Sequence, residues 1–360
     1  MAAASPEVEA AVGHLAQNGS EVSAIAEDRI AEFGLPTRRT EGWRWTPLRR
    51  ALEDAGPPWV RPDITTGVDF SLEGLLAAFR PSDTVAALAL GLADDAWEYG
   101  GGAPLQIDSR SRGTGARIVL NPGQAGVVVQ HIRKTEHLQT GAALIDLAPG
   151  AELSLVLIFE DSSASRIALN RVRLGTGATY RQFVLTEGAK LSRVETEVDI
   201  AGAGAKVELS GVYLAAARRH ADLTSQVILN AEDAEVRQLV RGVARKGGRG
   251  VFQGRFKVER VAQKTDAQME HNALLLEEGA EIFAKPELEI YADDVQCSHG
   301  NTAGQLDENA IFYLRQRGIP EIEARAMITR AFLIEALPDW LDEAVRGEVE
   351  QRIDAWLGAA

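Results

Sequence analysis

The sequence predicts a mainly β protein: a right-handed parallel β-helix with an N-terminal helical cap and a C-terminal helical domain. Three observations lead there. First, a turn pair followed by one polar and one apolar residue recurs: GARI at Gly115, GAEL at Gly150, GATY at Gly177, GAKV at Gly204, DAEV at Asp233 and GAEI at Gly279. Steps of 27, 27 and 29 residues separate Gly150, Gly177, Gly204 and Asp233. A turn residue at a nearly fixed period is the mark of a solenoid. Second, the residues between the turns are Val, Leu, Ile and Thr in short alternating runs, so the repeating unit is made of strands. A sandwich also has many short strands, but nothing in it repeats a turn at constant spacing. Third, both ends of the chain carry apolar residues at three- and four-residue steps, the helical period.

Taken in order, residues 1–56 form an N-terminal helical segment. Val8, Val12 and Leu15, then Val22, Ile25, Ala26 and Ile30, mark two helices split at Gly19 and Ser20, with Ser20 as N-cap and Ser23 as the competing choice. Gly34 and Pro36 end the second. In TRRTEGWRWTPL, Trp43 and Trp45 could form a stacking platform beside Arg38, Arg39 and Arg44. We read them instead as anchors pinning the cap to the body, because the net charge of −14 disfavours a nucleic-acid role. Residues 57–84 read as a linker or helical connection, with PPWVRPD at 57–63.

The β-helix core is expected over residues 85–304, with strands from about Val85. Helical caps should cover the two ends of the stack, or one end could stay open for a partner that continues the sheet. RGVARKGGRG at 241–250 is the only dense basic, Gly-rich run. It lacks the order of a phosphate loop, as does the whole chain, and reads as a mobile inter-coil loop. His271 is expected to face outward and is given no role.

Residues 305–360 read as a C-terminal helical domain. Asp307 is a suitable N-cap and Gly318 a suitable stop. Pro320 should sit at the first position of the next helix, Pro338 ends it, and Asp339 can cap the last. Ile322, Ala326, Ala331, Ile334 and Leu337 make an apolar stripe wider than a solvent-facing helix needs. Packing on the core and docking of a partner explain it equally well.

The best chemical candidate is Cys297 with His299, in ELEIYADDVQCSHG. Two apart on a strand, their side chains leave the same face. A thiol and an imidazole suit iron and iron–sulfur chemistry, but metal sites need three or four ligands. The residues alone therefore favour structural roles, or part of a site that a partner completes. A thiol hydrolase is disfavoured, since its base comes from elsewhere in the chain. A polysaccharide-active β-helix enzyme using Asp266, Asp293 and Asp294 is the rival from another class, and a purely structural solenoid adaptor is a third.

Composition bounds the setting. The 360 residues are 45% hydrophobic and 25% charged, as in a soluble globular protein. One cysteine excludes an intrachain disulfide and fits a reducing compartment. The N-terminus lacks the pattern of a secretion signal, and no apolar run reaches membrane-spanning length. A cytoplasmic protein binding neither nucleic acid nor membrane is expected.

KPELEIYADDVQCSHGNTAGQLDENAIFYLRQRGI resembles the C-terminal signature of the SufB/SufD family of the SUF iron–sulfur cluster assembly machinery. GLPTRRTEGWRWTPL at 34–48, VFQGRFKV and QKTDAQMEHNALLL match as well. CSHG, where SufB-like chains carry an H-E-A type sequence, places the resemblance with SufD. The resemblance implies a non-catalytic scaffold subunit that pairs with SufB through the β-helix and docks the SufC ATPase through the C-terminal helices, at Ile322, Ala326 and Ile334. It implies no nucleotide bound by this chain, and a possible homodimer when isolated. His299, and more weakly Cys297, would hold a transient iron–sulfur cluster shared with SufB.

Overall fold

The computed structural model describes residues 6–53 and 71–358; the linker expected at 57–63 lies outside them. Two eight-stranded parallel sheets form a β-solenoid. One sheet runs through Asp95–Tyr99 (β1), Gly113–Leu120 (β3), Gln139–Leu147 (β5), Ser162–Leu174 (β7), Ala189–Ile200 (β9), His220–Leu229 (β11), Arg249–Val258 (β13) and Glu281–Ile290 (β15). The other runs through Leu105–Ser109 (β2), Ala125–Ile132 (β4), Glu152–Phe159 (β6), Thr179–Thr186 (β8), Lys206–Ala215 (β10), Glu235–Ala244 (β12), Asp266–Leu275 (β14) and Gln296–Gly304 (β16). Each coil thus contributes one strand to each sheet. The chain becomes β later than expected: Thr84–Gly91 is a wholly buried helix, because eight apolar or small residues in a row fit a buried helix as well as a strand.

The repeated turn is real, and its physical basis is backbone geometry. Gly123, Gly150, Gly177, Gly204, Asp233 and Lys264 stack in one corner column, all with φ between 56° and 71°. Only glycine takes that left-handed conformation without cost, which explains four glycines in six places. Each N–H in the column donates to a carbonyl of the next coil, at 2.5–3.0 Å, so the turns form their own hydrogen-bond ladder. Two expected members do not belong to it. Gly115 lies inside β3, where an added Cβ would come within 2.4 Å of Leu72. Gly279 stands in the opposite corner, where its carbonyl accepts from Gly247 N–H at 3.0 Å. The basic run at 241–250 is no loop either: β12 and β13 take most of it, and residues 245–248 make a tight corner.

The helices cover the flanks of the solenoid rather than its ends. Pro6–Asn18 (α1), Glu21–Phe33 (α2), Leu48–Leu52 (α3), Leu72–Ala78 (α4) and Thr84–Gly91 (α5) share a core with Ala142, Ile167, Leu169 and Leu191, on the outer face of the odd-numbered sheet. Ser20 caps α2 through a bond from Ser23 N–H, at 3.1 Å. Glu308–Arg315 (α6), Glu321–Ile334 (α7) and Glu343–Gly358 (α8) lie on the other flank. There Leu333, Leu337, Val349 and Ile353 pack on Val156, Phe183, Leu185 and Val212 of the even-numbered sheet. Outward strand positions that would otherwise be polar are apolar for this reason. Asp307 caps α6 as expected, Pro320 sits one position before α7, and Asp342, not Asp339, accepts the N–H of Ala344 at 2.9 Å. Among the described residues no helix is long and apolar enough to cross a membrane.

Candidate functional site

The last coil is left uncovered. The middle strands are buried along most of their length, whereas β15 and β16 contain no buried residue. Both are edge strands of their sheets. Register decides what the open end displays. Ala267, Met269 and His271 of β14 pair with Cys297, His299 and Asn301 of β16. The three β14 residues are buried in the interior. Paired residues of parallel strands share a face, so Cys297, His299 and Asn301 belong to the interior face, with no further coil above them.

Cys297 and His299 are thus on one side of the strand, as their spacing requires, but their surroundings differ. Cys297 is half-buried and packs against the apolar interior. Burial pushes its thiol pKa up, and the Asp266 carboxylate adds to this, against a hydrogen bond from Ala267 N–H. His299 is exposed. Beside it an open groove of about 700 Å³ is lined by Glu208, Arg237, Glu270, Asn301 and Glu335. Among the described residues no three His, Cys, Asp or Glu side chains gather as a metal site. Of the acidic residues of the polysaccharide reading, Asp266 is held by Arg237 at 2.5 Å, and Asp293 and Asp294 lie exposed before β16.

His271, expected to face outward, is fully buried beneath this surface. Its ring stacks on Phe252 with centroids 4.5 Å apart. Nδ1 donates to Asn301 Oδ1 at 2.7 Å, and Nε2 accepts from the Tyr213 hydroxyl at 3.0 Å. Tyr213 reaches it because Gly242 has no side chain: a Cβ there would stand 1.8 Å from the Tyr213 ring. Burial lowers the His271 pKa to about 4, with the Arg241 charge assisting and the Asn301 bond opposing. His271 is therefore a neutral strut that orients Asn301 at the open end. Its sequence signal was alternation: Met269, His271 and Ala273 share the parity of the core.

A second buried cluster settles the two tryptophans. Arg193 bonds Asp222 at 2.8 Å and Glu195 at 2.7 Å, and its guanidinium lies 4.1 Å from the centre of the Trp43 ring. The Thr46 hydroxyl donates to Asp222 and accepts from His220 Nε2 at 3.0 Å. Trp45 stacks on Phe283 with centroids 5.8 Å apart. Trp43 and Trp45 are anchors of the N-terminal strap, and no stacking platform is present.

On α7 the apolar stripe divides. Ala324, Thr329 and Leu333 are its buried positions, while Ile322 is 80% exposed. Ala326 and Ile334 are half-buried. Phe312 and Tyr313 of α6 and Met327 of α7 are exposed as well.

Fold and site together define a class: a helix-flanked parallel β-solenoid whose open last coil presents a thiol and an imidazole. Residues 114–332 match the family described as SUF system FeS cluster assembly, SufBD core domain. The chain belongs to this family. It is 33% identical over 238 residues to the iron–sulfur cluster assembly protein SufD of Escherichia coli, covering 65% of this chain and 56% of that one. A SufBD family protein of Synechocystis is 33% identical over 208 residues, covering 58% and 46%. A SufBD family protein of Mycobacterium leprae is 27% identical over 362 residues, covering 89% and 92%. The chain thus spans about half the length of the first two relatives and nearly all of the third.

Proposed function

We propose that the chain is a non-catalytic scaffold subunit of the SUF machinery for iron–sulfur cluster assembly, working in the cytoplasm. The open last coil is the observation that carries this reading. An uncovered pair of edge strands invites a partner that continues both sheets. A related solenoid fits best, and we take that partner to be SufB. The cluster is cargo rather than a resident cofactor. Cys297 and His299 supply two donors, and the ligands still needed come from the partner. His299 is already solvated and accessible, whereas Cys297 must lose a proton that its burial retains.

The exposed apolar side chains of α6 and α7 support the second contact. Ile322 at the start of α7, with Ala326 one turn on and Ile334 at the far end of the helix, forms the docking surface for the SufC ATPase. This chain has no phosphate loop, so nucleotide belongs to that partner. In isolation, two open ends could pair as a homodimer.

The test is copurification of the chain from its native host, with the bound chains identified and iron and sulfide measured. SufB- and SufC-type chains carrying iron and sulfide are expected. Recovery of the chain free of both would overturn the proposal.

A further inference from the structure

The buried strut beneath the open end fixes which way Asn301 faces. Tyr213 and His271 are fully buried. Among the described residues the Tyr213 hydroxyl has one polar partner, His271 Nε2 at 3.0 Å. A buried hydroxyl hydrogen without an acceptor is costly, so Nε2 accepts and the proton of the neutral ring sits on Nδ1. That Nδ1–H needs an acceptor in turn, and Asn301 Oδ1 supplies it at 2.7 Å. The amide oxygen of Asn301 is thus turned down onto the solenoid, and its Nδ2 is turned away from His271.

Nδ2 has no hydrogen-bond partner among the described residues, and it is not walled in. Asn301 is exposed and lines the open groove of about 700 Å³ together with His299. Asn301 follows His299 by two on the same interior face, about 6.6 Å along the strand. A metal on the imidazole and a sulfur bound to that metal span such a distance. β16 reads QCSHGNTAG and carries no Lys or Arg. Once Cys297 and His299 give lone pairs to a metal, Asn301 is the side chain left on that face to donate a hydrogen bond. Iron–sulfur cargo is rich in negative sulfur, which accepts such bonds.

We propose that Asn301 is a further binding residue of the open end, donating a hydrogen bond from Nδ2 to a sulfur of the cargo held at His299. His271 and Tyr213 are the positioning residues that aim it. This rests on the reading of the open end as a cluster site. A hydrogen bond to sulfur draws charge off the cluster and favours its reduced form, so the amide raises the reduction potential.

The test is a dye-mediated redox titration of a cluster built from ferrous iron and sulfide on the reconstituted complex, followed by electron paramagnetic resonance. Asn301→Ala should lower the midpoint by about 59 mV, a tenfold shift of the one-electron equilibrium. The position is exposed, so water takes over the bond from His271 Nδ1 and the variant should fold. Asn301→Asp keeps an acceptor for His271 but replaces the donor by a negative charge, and should lower the midpoint further. If Asn301→Ala does not assemble, Asn301→Asp decides. Tyr213→Phe keeps the ring but frees the imidazole to change tautomer and the amide to turn, and should lower the midpoint by less. No shift there would remove the positioning role. Unchanged midpoints in both Asn301 variants would overturn the proposal and leave the site at His299 standing. So would a loss of partner affinity in Asn301→Ala at constant midpoint, which would make the amide a contact to the partner's backbone. A wild-type complex that takes up no iron and sulfide would remove the cluster reading itself, and the proposal with it.

Discussion

At the scale of the residue, His299 and Cys297 share a strand face but not an environment, and their substitutions should differ. His299 is exposed and has no packing to lose. His299→Ala should therefore change stability by about 0.5 kcal/mol or less. Complex recovery should be normal, while cluster formation by the reconstituted complex falls sharply, since nothing nearby replaces the imidazole. Cys297→Ala should reduce cluster formation less and cost some stability, because the thiol packs against the interior. Melting curves, complex yield and cluster absorbance on both variants check this. A His299→Ala protein that builds clusters at the wild-type rate removes the site. Spacing alone could place both residues on one face. It could not tell which is accessible, because that depends on what stands above the strand.

At the scale of the element, α7 has a core face and a free face. Leu333 is fully buried against the even-numbered sheet, and burying such a side chain contributes about 1.5–3 kcal/mol. Leu333→Asp should therefore loosen the whole C-terminal domain. Ile322→Asp should leave strand circular dichroism and the melting midpoint unchanged, yet weaken binding of the ATPase partner at least about tenfold, as loss of a central apolar anchor does. Titration calorimetry with that partner separates the two. Unchanged affinity in Ile322→Asp would move the docking surface elsewhere. The helical period was readable in the sequence, but the apolar stripe was wider than either face alone. Only packing divided it.

At the scale of the whole molecule, two buried neutral histidines make stability depend on acidity. Burial and the charges of Arg249, Arg50 and Arg193 lower His220 to about 3, and burial first of all lowers His271 to about 4. The unfolded chain takes up a proton on each near pH 6.5, and the folded chain does not until far lower. Their contribution is therefore complete above about pH 6.5 and is lost as pH falls toward 4, by about 1.4 kcal/mol per unit for each histidine. Most carboxylates titrate below about pH 4.5, so the window from 6.5 to 5 reports the histidines alone. Urea unfolding across that window should show the fall, and its slope should roughly halve in His220→Gln. A flat profile would mean that both rings are hydrated in solution. A further expectation concerns turnover: the pure chain should hydrolyse no ATP, and hydrolysis abolished by a substitution in this chain would contradict the scaffold role.

The sequence by itself determined the solenoid, because a left-handed corner admits few residues. Gly150, Gly177 and Gly204 therefore recur where the backbone demands them. It also determined the helical ends and the pairing of Cys297 with His299 on one face, since both follow from local periodicity. The tertiary structure alone decided what covers what. Apolar residues on both faces of a strand do not say whether the outer face meets a helix, so caps expected on the ends lie on the flanks. His271 and Arg166 look like ordinary polar residues in alternating strands. Their burial follows from register between strands some thirty residues apart, which no local pattern contains. The same register left Cys297 and His299 on the last, uncovered coil, and so turned two unremarkable side chains into the candidate site.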